Sequence, residues 1–171
     1  MTHTQPTDQS GIEPHGAPVH IFMERALALA VASASNGGGP FGAVVVRNGG
    51  IIAEGVNGVT SAMDPTAHAE VTAIRGACSL LGSHQLTGCD IYTSCEPCPM
   101  CLGAMYWARP DRVFYSATAA AAAAAGFDDA FIYAEMAAAH HERQIPLLPL
   151  LEGEGEAPFA AWRKNLARVA Y

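Results

Sequence analysis

Apolar residues recur at helical spacing over residues 21–35, where Ile21, Phe22, Ala28, Leu29 and Ala32 share one stripe with Arg25. That spacing predicts a first helix, which Asn36-Gly37-Gly38-Gly39-Pro40 brings to an end. Residues 41–47 form a β-branched run and residues 51–54 a second one. Asn48-Gly49-Gly50 between them is a strong turn signal, so the pair predicts a hairpin. A helix is expected from Asp64-Pro65-Thr66 to about Leu81, with His68 and Glu70 in its first turns. Ile91-Tyr92-Thr93 reads as a short strand, Pro97 as the opening of a helix over 98–108, and residues 112–115 as another strand. The alanine run 119–125 is a short helix by intrinsic propensity. Phe159, Trp162, Leu166 and Val169 fall at helical spacing within 158–171, which predicts a helix packed on this chain's core or a partner's.

The order α-β-β-α-β-α-β, followed by more α and β, implies an α/β protein with a mixed sheet covered by helices. At 171 residues, half of them hydrophobic and 15% charged, the chain reads as globular. Residues 1–18, rich in Thr, Gln, Pro and Gly, are expected to be a loose tail, and residues 19–171 a single domain. His3 and His15 in that tail lack neighbouring ligands. The first residues do not pair a basic region with an apolar stretch, so no secretory signal is expected. No apolar run approaches the roughly 20 residues that cross a bilayer, so no membrane association is expected either.

Cysteines sharpen this picture. Three of the five (Cys95, Cys98 and Cys101, against Cys78 and Cys89) lie within seven residues, which suits a metal site in a reducing compartment, hence the cytoplasm, better than a disulfide framework. Nine Lys and Arg stand against sixteen Asp and Glu, a net charge of −7. A chain that grips a phosphate backbone usually presents a basic face, so a small uncharged substrate is favoured over a nucleic acid.

The chemistry sits in His68-Ala69-Glu70 and Pro97-Cys98-Pro99-Met100-Cys101. Together they spell H-x-E…P-C-x-x-C, the pattern of zinc-dependent nucleobase deaminases. One imidazole and two thiolates make three ligands, one short of a closed structural site, which leaves a position for water. Glu70, two residues beyond the histidine, is placed to move protons between that water and a substrate. Two other readings compete. Cys95 precedes Cys98 by the interval that separates Cys98 from Cys101, so Cys95, Cys98, Cys101 and His68 form a conceivable closed Cys₃His knot in a non-enzymatic zinc-binding module. Against it, Glu96 precedes a proline and is biased away from helix, which turns Cys95 in a different direction, and a knot gives Glu70 no role. A thioredoxin-like use of the C-x-x-C leaves His68-Ala69-Glu70 unexplained.

Pro40-Phe41-Gly42-Ala43, Asp64-Pro65-Thr66-Ala67-His68-Ala69-Glu70 and Thr93-Ser94-Cys95-Glu96-Pro97-Cys98-Pro99-Met100-Cys101 resemble the cytidine deaminase-like superfamily. Tyr106-Trp107-Ala108-Arg109-Pro110, Gly126-Phe127-Asp128-Asp129 and Tyr171 narrow the resemblance to its bacterial guanine deaminases. The resemblance implies a three-layer α/β/α fold and hydrolysis of guanine to xanthine and ammonia by a zinc-activated water. It implies one zinc per subunit on His68, Cys98 and Cys101, with Glu70 as proton shuttle and Asp129 as a second catalytic carboxylate. Asn57, Phe41, the backbone of Ala69, Trp107 and Tyr171 would contact the purine base. It also implies a homodimer in which a C-terminal segment of about 157–171 is swapped between subunits. Family members often carry a polar or acidic residue within 119–125, which is pure alanine here, so any contact such a residue makes is absent. The rivals within the same zinc chemistry are a tRNA adenosine deaminase, which needs a basic surface, and a cytosine deaminase, which Gly126-Phe127-Asp128-Asp129 disfavours.

Overall fold

In the computed structural model, which describes residues 18–170, a four-stranded mixed sheet lies between two helical layers. Helix α1 (His20–Ser35) leads into β1 (Gly42–Arg47) and β2 (Gly50–Val56). A short helix α2 (Val59–Ala62) and the longer α3 (Ala69–Leu81) precede β3 (Cys89–Cys95). Helix α4 (Pro99–Ala108), β4 (Arg112–Ala117), α5 (Ala119–Ala124) and α6 (Ala130–Ala137) follow. A 3₁₀ turn (Glu152–Glu154) and α7 (Ala157–Lys164) complete the described chain.

The sheet order is β2-β1-β3-β4. β1 is antiparallel to both β2 and β3, while β3 and β4 run parallel, joined by the crossover helix α4. The predicted hairpin is present. Asn48 and Gly49 take φ of 51° and 73°, the pair of left-handed conformations that a two-residue type I′ turn requires.

β1 is buried on both faces, which explains its unbroken Ala-Val-Val-Val run. Ala43 and Val45 face a core that includes Ala73, Ile74 and Ala77 of α3 and Met105 of α4. Val44 and Val46 face the other layer, where Tyr92 stacks on Phe114 with centroids 4.7 Å apart and Phe22 of α1 packs edge-on at 5.5 Å. Burial of Val44 or Val45 is worth about 1.5–3 kcal/mol each.

Several sequence expectations shift. Of the expected stripe on α1, Phe22 and Leu29 pack on the core, while Ile21, Arg25, Ala28 and Ala32 are exposed and the buried positions are Ala26 and Ala30. Small residues win there because the helix lies against the backbone of β1: a Cβ on Gly42 would sit 2.4 Å from the Ala26 carbonyl oxygen. His68 and Cys98 do not lie inside their helices but precede them, and Pro99 rather than Pro97 occupies the first helical turn. No strand follows Ala117 among the described residues. The C-terminal helix is shorter than its 158–171 pattern, and Phe159, Trp162, Leu166 and Val169 are all exposed on this chain. The expected tail falls almost entirely outside the described residues.

Sheet and helix also approach closely at Gly55, where a Cβ would lie 2.1 Å from the Ala69 carbonyl oxygen and 2.6 Å from the Ala73 nitrogen. Both partners are backbone of α3, so neither can swing aside. Gly55→Ala is expected to destabilise the fold by about 1–3 kcal/mol, as overpacking does. Denaturant unfolding measures this, and a change below about 0.5 kcal/mol contradicts the close packing described.

Candidate active site

Two helix starts converge on one point. His68 is the N-cap of α3, in extended conformation (φ −74°, ψ 154°), and Cys98 is the N-cap of α4 (φ −66°, ψ 167°). The segment leading to His68 is shaped by Asp64, whose Oδ1 accepts from both the N–H and the hydroxyl of Thr66 at 2.8 Å. Gly58 N–H donates to the Ala67 carbonyl at 2.8 Å and ties that segment to the end of β2. On the second side, Pro99 pre-sets the first turn of α4 and places Cys101 inward, fully buried.

His68 Nδ1 lies 3.5 Å from Cys98 Sγ and 3.4 Å from Cys101 Sγ, and the three donor atoms fall within 4.8 Å of one another. Zinc bonds of ~2.0–2.1 Å to nitrogen and ~2.3 Å to sulfur, at tetrahedral angles, put N and S about 3.5 Å apart. The donor set and its spacing therefore fit zinc. Cys95 stands apart from the cluster at the end of β3, its Sγ donating to the Thr118 carbonyl at 3.7 Å. Among the described residues the candidate ligand cluster is His68, Cys98 and Cys101, without Cys95.

The protonation of the cluster follows from its contacts. The Cys98 thiol is lowered to about 4, chiefly by a hydrogen bond from Cys101 and further by His68, against the cost of burial. Cys101 is raised because it is the donor to Cys98 and is buried. His68 is raised mainly by its hydrogen bond with Cys98. Cys98, at the positive end of α4, is thus held as a thiolate, the form a metal takes.

Glu70, in the first turn of α3, is only 6% exposed, with Oε2 3.4 Å from Cys101 Sγ. Burial raises its pKa, so it holds a proton more readily than a surface carboxylate does. Ala69 beside it is fully buried and begins α3, so its N–H belongs to a first turn whose donors have no acceptor within the helix.

A cavity of about 470 Å³ opens over the cluster. It gathers His68, Glu70 and Cys98 with Asn57, Phe41 and Asp129. Asn57 Oδ1 accepts from Val59 N–H at 3.3 Å, which leaves the amide NH₂ as the end available to a ligand. Gly39 lets the chain close on this side chain, since a Cβ there would lie 2.8 Å from Asn57 Cγ. The Asp129 pKa is raised, first by burial and then by the Cys98 thiolate. Trp107 is 65% exposed on α4 and does not line this cavity, and Tyr171 lies outside the described residues.

The cavity also contains residues that stand in the sequence motifs without an assigned role in the site. Phe127 meets Phe41 edge to face, with centroids 5.0 Å apart and planes at 86°. Glu96, the Gly37–Gly39 loop and Ala119 and Ala122 also contribute to the lining. The position of Glu96 between Cys95 and the Pro97-Cys98 ligand turn was the available signal for it, whereas the glycines read only as a helix stop.

Residues 18–117 match the family profile described as cytidine and deoxycytidylate deaminase zinc-binding region. The guanine deaminase of Bacillus subtilis strain 168 is 59% identical over 88% of this chain and 97% of its own length. The X-ray structure of guanine deaminase from Bacillus subtilis superposes with a TM-score of 0.88 at 55% identity, covering 90% of this chain and 99% of that one. A tRNA-specific adenosine deaminase of Agrobacterium fabrum is 44% identical over 56% of this chain and 63% of its own length. The likeness to the guanine enzyme thus extends well beyond the zinc-binding region that the tRNA enzyme shares.

Proposed function

The chain belongs to the zinc-binding cytidine and deoxycytidylate deaminase family, and within it we propose that Glu70 and Asp129 share the proton transfers of guanine deamination. Its reaction is the hydrolysis of guanine to xanthine and ammonia. His68, Cys98 and Cys101 would hold the zinc, which would lower the pKa of a water toward neutrality and so supply the nucleophile.

Glu70 takes the proton that the attacking water gives up and delivers it to ring nitrogen N3 as C2 becomes tetrahedral. The raised pKa of this buried carboxyl suits a group that must hold a proton between two transfers. Asp129 faces the departing amino group and assists its loss as ammonia; its own raised pKa supports that role. Asn57 donates through its amide NH₂ to a ring carbonyl, Phe41 packs on the purine face, and the Ala69 N–H binds a polar edge of the base. The observation that carries this reading is the buried Glu70 carboxylate set against an open three-ligand cluster at the base of a cavity.

The working unit is a homodimer with its C-terminal segment of about 157–171 exchanged, so that Tyr171 closes the partner's site. The apolar side chains of α7 and of the residues around it support this reading, because among the described residues Phe159, Trp162, Leu166 and Val169 all remain exposed. The enzyme works in the cytoplasm as a step of purine breakdown, consistent with five free cysteines. No helix among the described residues is long and apolar enough to cross a membrane.

Ammonia release is expected from guanine and not from adenine, adenosine or cytosine, and Glu70→Ala is expected to abolish it. Asp129→Asn is expected to cut kcat by about 10²–10⁴ with zinc retained, the usual range for a general acid or base. Turnover within a few fold of wild type removes Asp129 from the mechanism, and deamination of adenosine or cytosine instead overturns the substrate. Light scattering is expected to give the mass of two chains. A monomer that remains fully active would refute the exchanged dimer.

A further inference from the structure

One wall of the cavity is built from residues that have almost no side chain to hold them. α5 is six alanines, none of them buried, yet Ala119 and Ala122 line the cavity and the segment runs on to Asp129. Its attachments lie at its two ends. At the start, Ala119 N–H donates to Glu96 Oε2 at 2.9 Å, and Glu96 N–H donates to the Ala117 carbonyl at 2.8 Å. Cys95 Sγ donates to the Thr118 carbonyl beside them. These bonds join the corner between β4 and α5 to the short turn between β3 and Cys98. At the far end, Phe127 rests edge-on against Phe41. Between these points, among the described residues, the alanines are held by their helical hydrogen bonds and the Thr118 hydroxyl cap, which accepts from Ala121 N–H at 3.3 Å.

We propose that Glu96 is a positioning residue for the reaction: its carboxylate anchors the wall that carries Asp129 and sets that wall's place relative to the metal-ligand turn. The carboxylate is well suited to this. It lines the cavity beside the ligand turn, and it accepts a main-chain N–H, so the anchor does not depend on any side chain in the alanine run. A charge-assisted bond of this kind is stronger than a neutral one. The inference rests on the assignment of Asp129 above, because the anchor acts on turnover through that residue.

The bond can be removed from either side. Glu96→Ala deletes the acceptor. Ala119→Pro deletes the donor and leaves every side chain of the ligand turn in place. Proline is accommodated at the first helical position, and Thr118 before it already has the extended conformation (φ −86°, ψ 160°) that proline demands. Each variant is compared with wild type by zinc content, by hydrogen exchange of amides in 119–129, and by kcat and KM on guanine.

Both variants are expected to keep their zinc, to exchange faster in 119–129, and to lose about tenfold or more in kcat, the weight of one hydrogen bond to a charged group. KM is expected to stay within about threefold, and the double variant to be no slower than the slower single within about twofold, since the two changes remove one bond. Glu96→Gln retains an acceptor oxygen and is expected to recover most of the loss. In an Asp129→Asn background, Ala119→Pro is expected to cost less than about twofold.

The proposal is overturned if Ala119→Pro matches wild type in both exchange and turnover. It is also overturned if the losses multiply in the double variant, or if Glu96→Gln is as slow as Glu96→Ala, which would make Glu96 a proton carrier. A full-sized Ala119→Pro effect in the Asp129→Asn background overturns the route through Asp129. If Asp129→Asn is itself as fast as wild type, the assignment of Asp129 fails, and the exchange data still decide whether Glu96 anchors the wall. Should Glu96→Ala misfold or lose zinc, Ala119→Pro alone decides the question.

Discussion

The convergence of two helix N-termini governs the rest of the molecule. α3 and α4 lie in the same layer and begin side by side, each with an extended residue at its N-cap, and those residues are His68 and Cys98. An N-cap side chain projects off the end of the helix, near N–H groups that have no intrahelical acceptor. Two such ends brought together give a pocket edged with positive potential, where thiolate and other anions are favoured. Here the cap positions carry a potential metal ligand in place of the usual Ser, Thr, Asp or Asn. For this to work α3 must sit very low on the sheet, and Gly55 makes room for its backbone there.

Burial around that point does the chemical tuning. Cys101 and Glu70 are both enclosed, with Cys101 Sγ 3.4 Å from Glu70 Oε2, in a region with little water to compete for their hydrogen bonds. The same enclosure raises Glu70, while Cys98, half-buried and facing both Cys101 and His68, goes the other way. One cluster therefore offers a thiolate ligand and a carboxyl that retains its proton readily, from two ionisable groups only a few residues from opposite helix starts. The cavity above is closed by lighter elements: a glycine loop on one side, and the alanine helix with the Phe127–Asp129 segment on the other.

The candidate His68, Cys98 and Cys101 cluster was legible in sequence because H-x-E and C-x-x-C are local patterns whose geometry follows from a helix start. The hairpin was legible because Asn48-Gly49 can adopt two successive left-handed conformations at little strain. The buried face of α1 was legible only in part, through Phe22 and Leu29; Ala26 and Ala30 were missed, since apolar residues surround the helix and the glycine and alanine contacts with β1 decide which face is buried. Glu96 and Phe127 escaped for a related reason. Each acts on a partner more than twenty residues away, Ala119 and Phe41 respectively, and no periodicity signals such a pairing. The C-terminal pattern predicted a helix that packs, whereas on this chain the helix has its apolar residues uncovered.

The central claim is that His68, Cys98 and Cys101 hold zinc with one position left open. X-ray absorption at the zinc edge of the loaded protein tests it most directly. The account predicts two sulfur neighbours at ~2.3 Å, one imidazole nitrogen at ~2.0–2.1 Å, and one further light atom from solvent. A third sulfur at the same distance would bring in Cys95, close the site, and contradict the account.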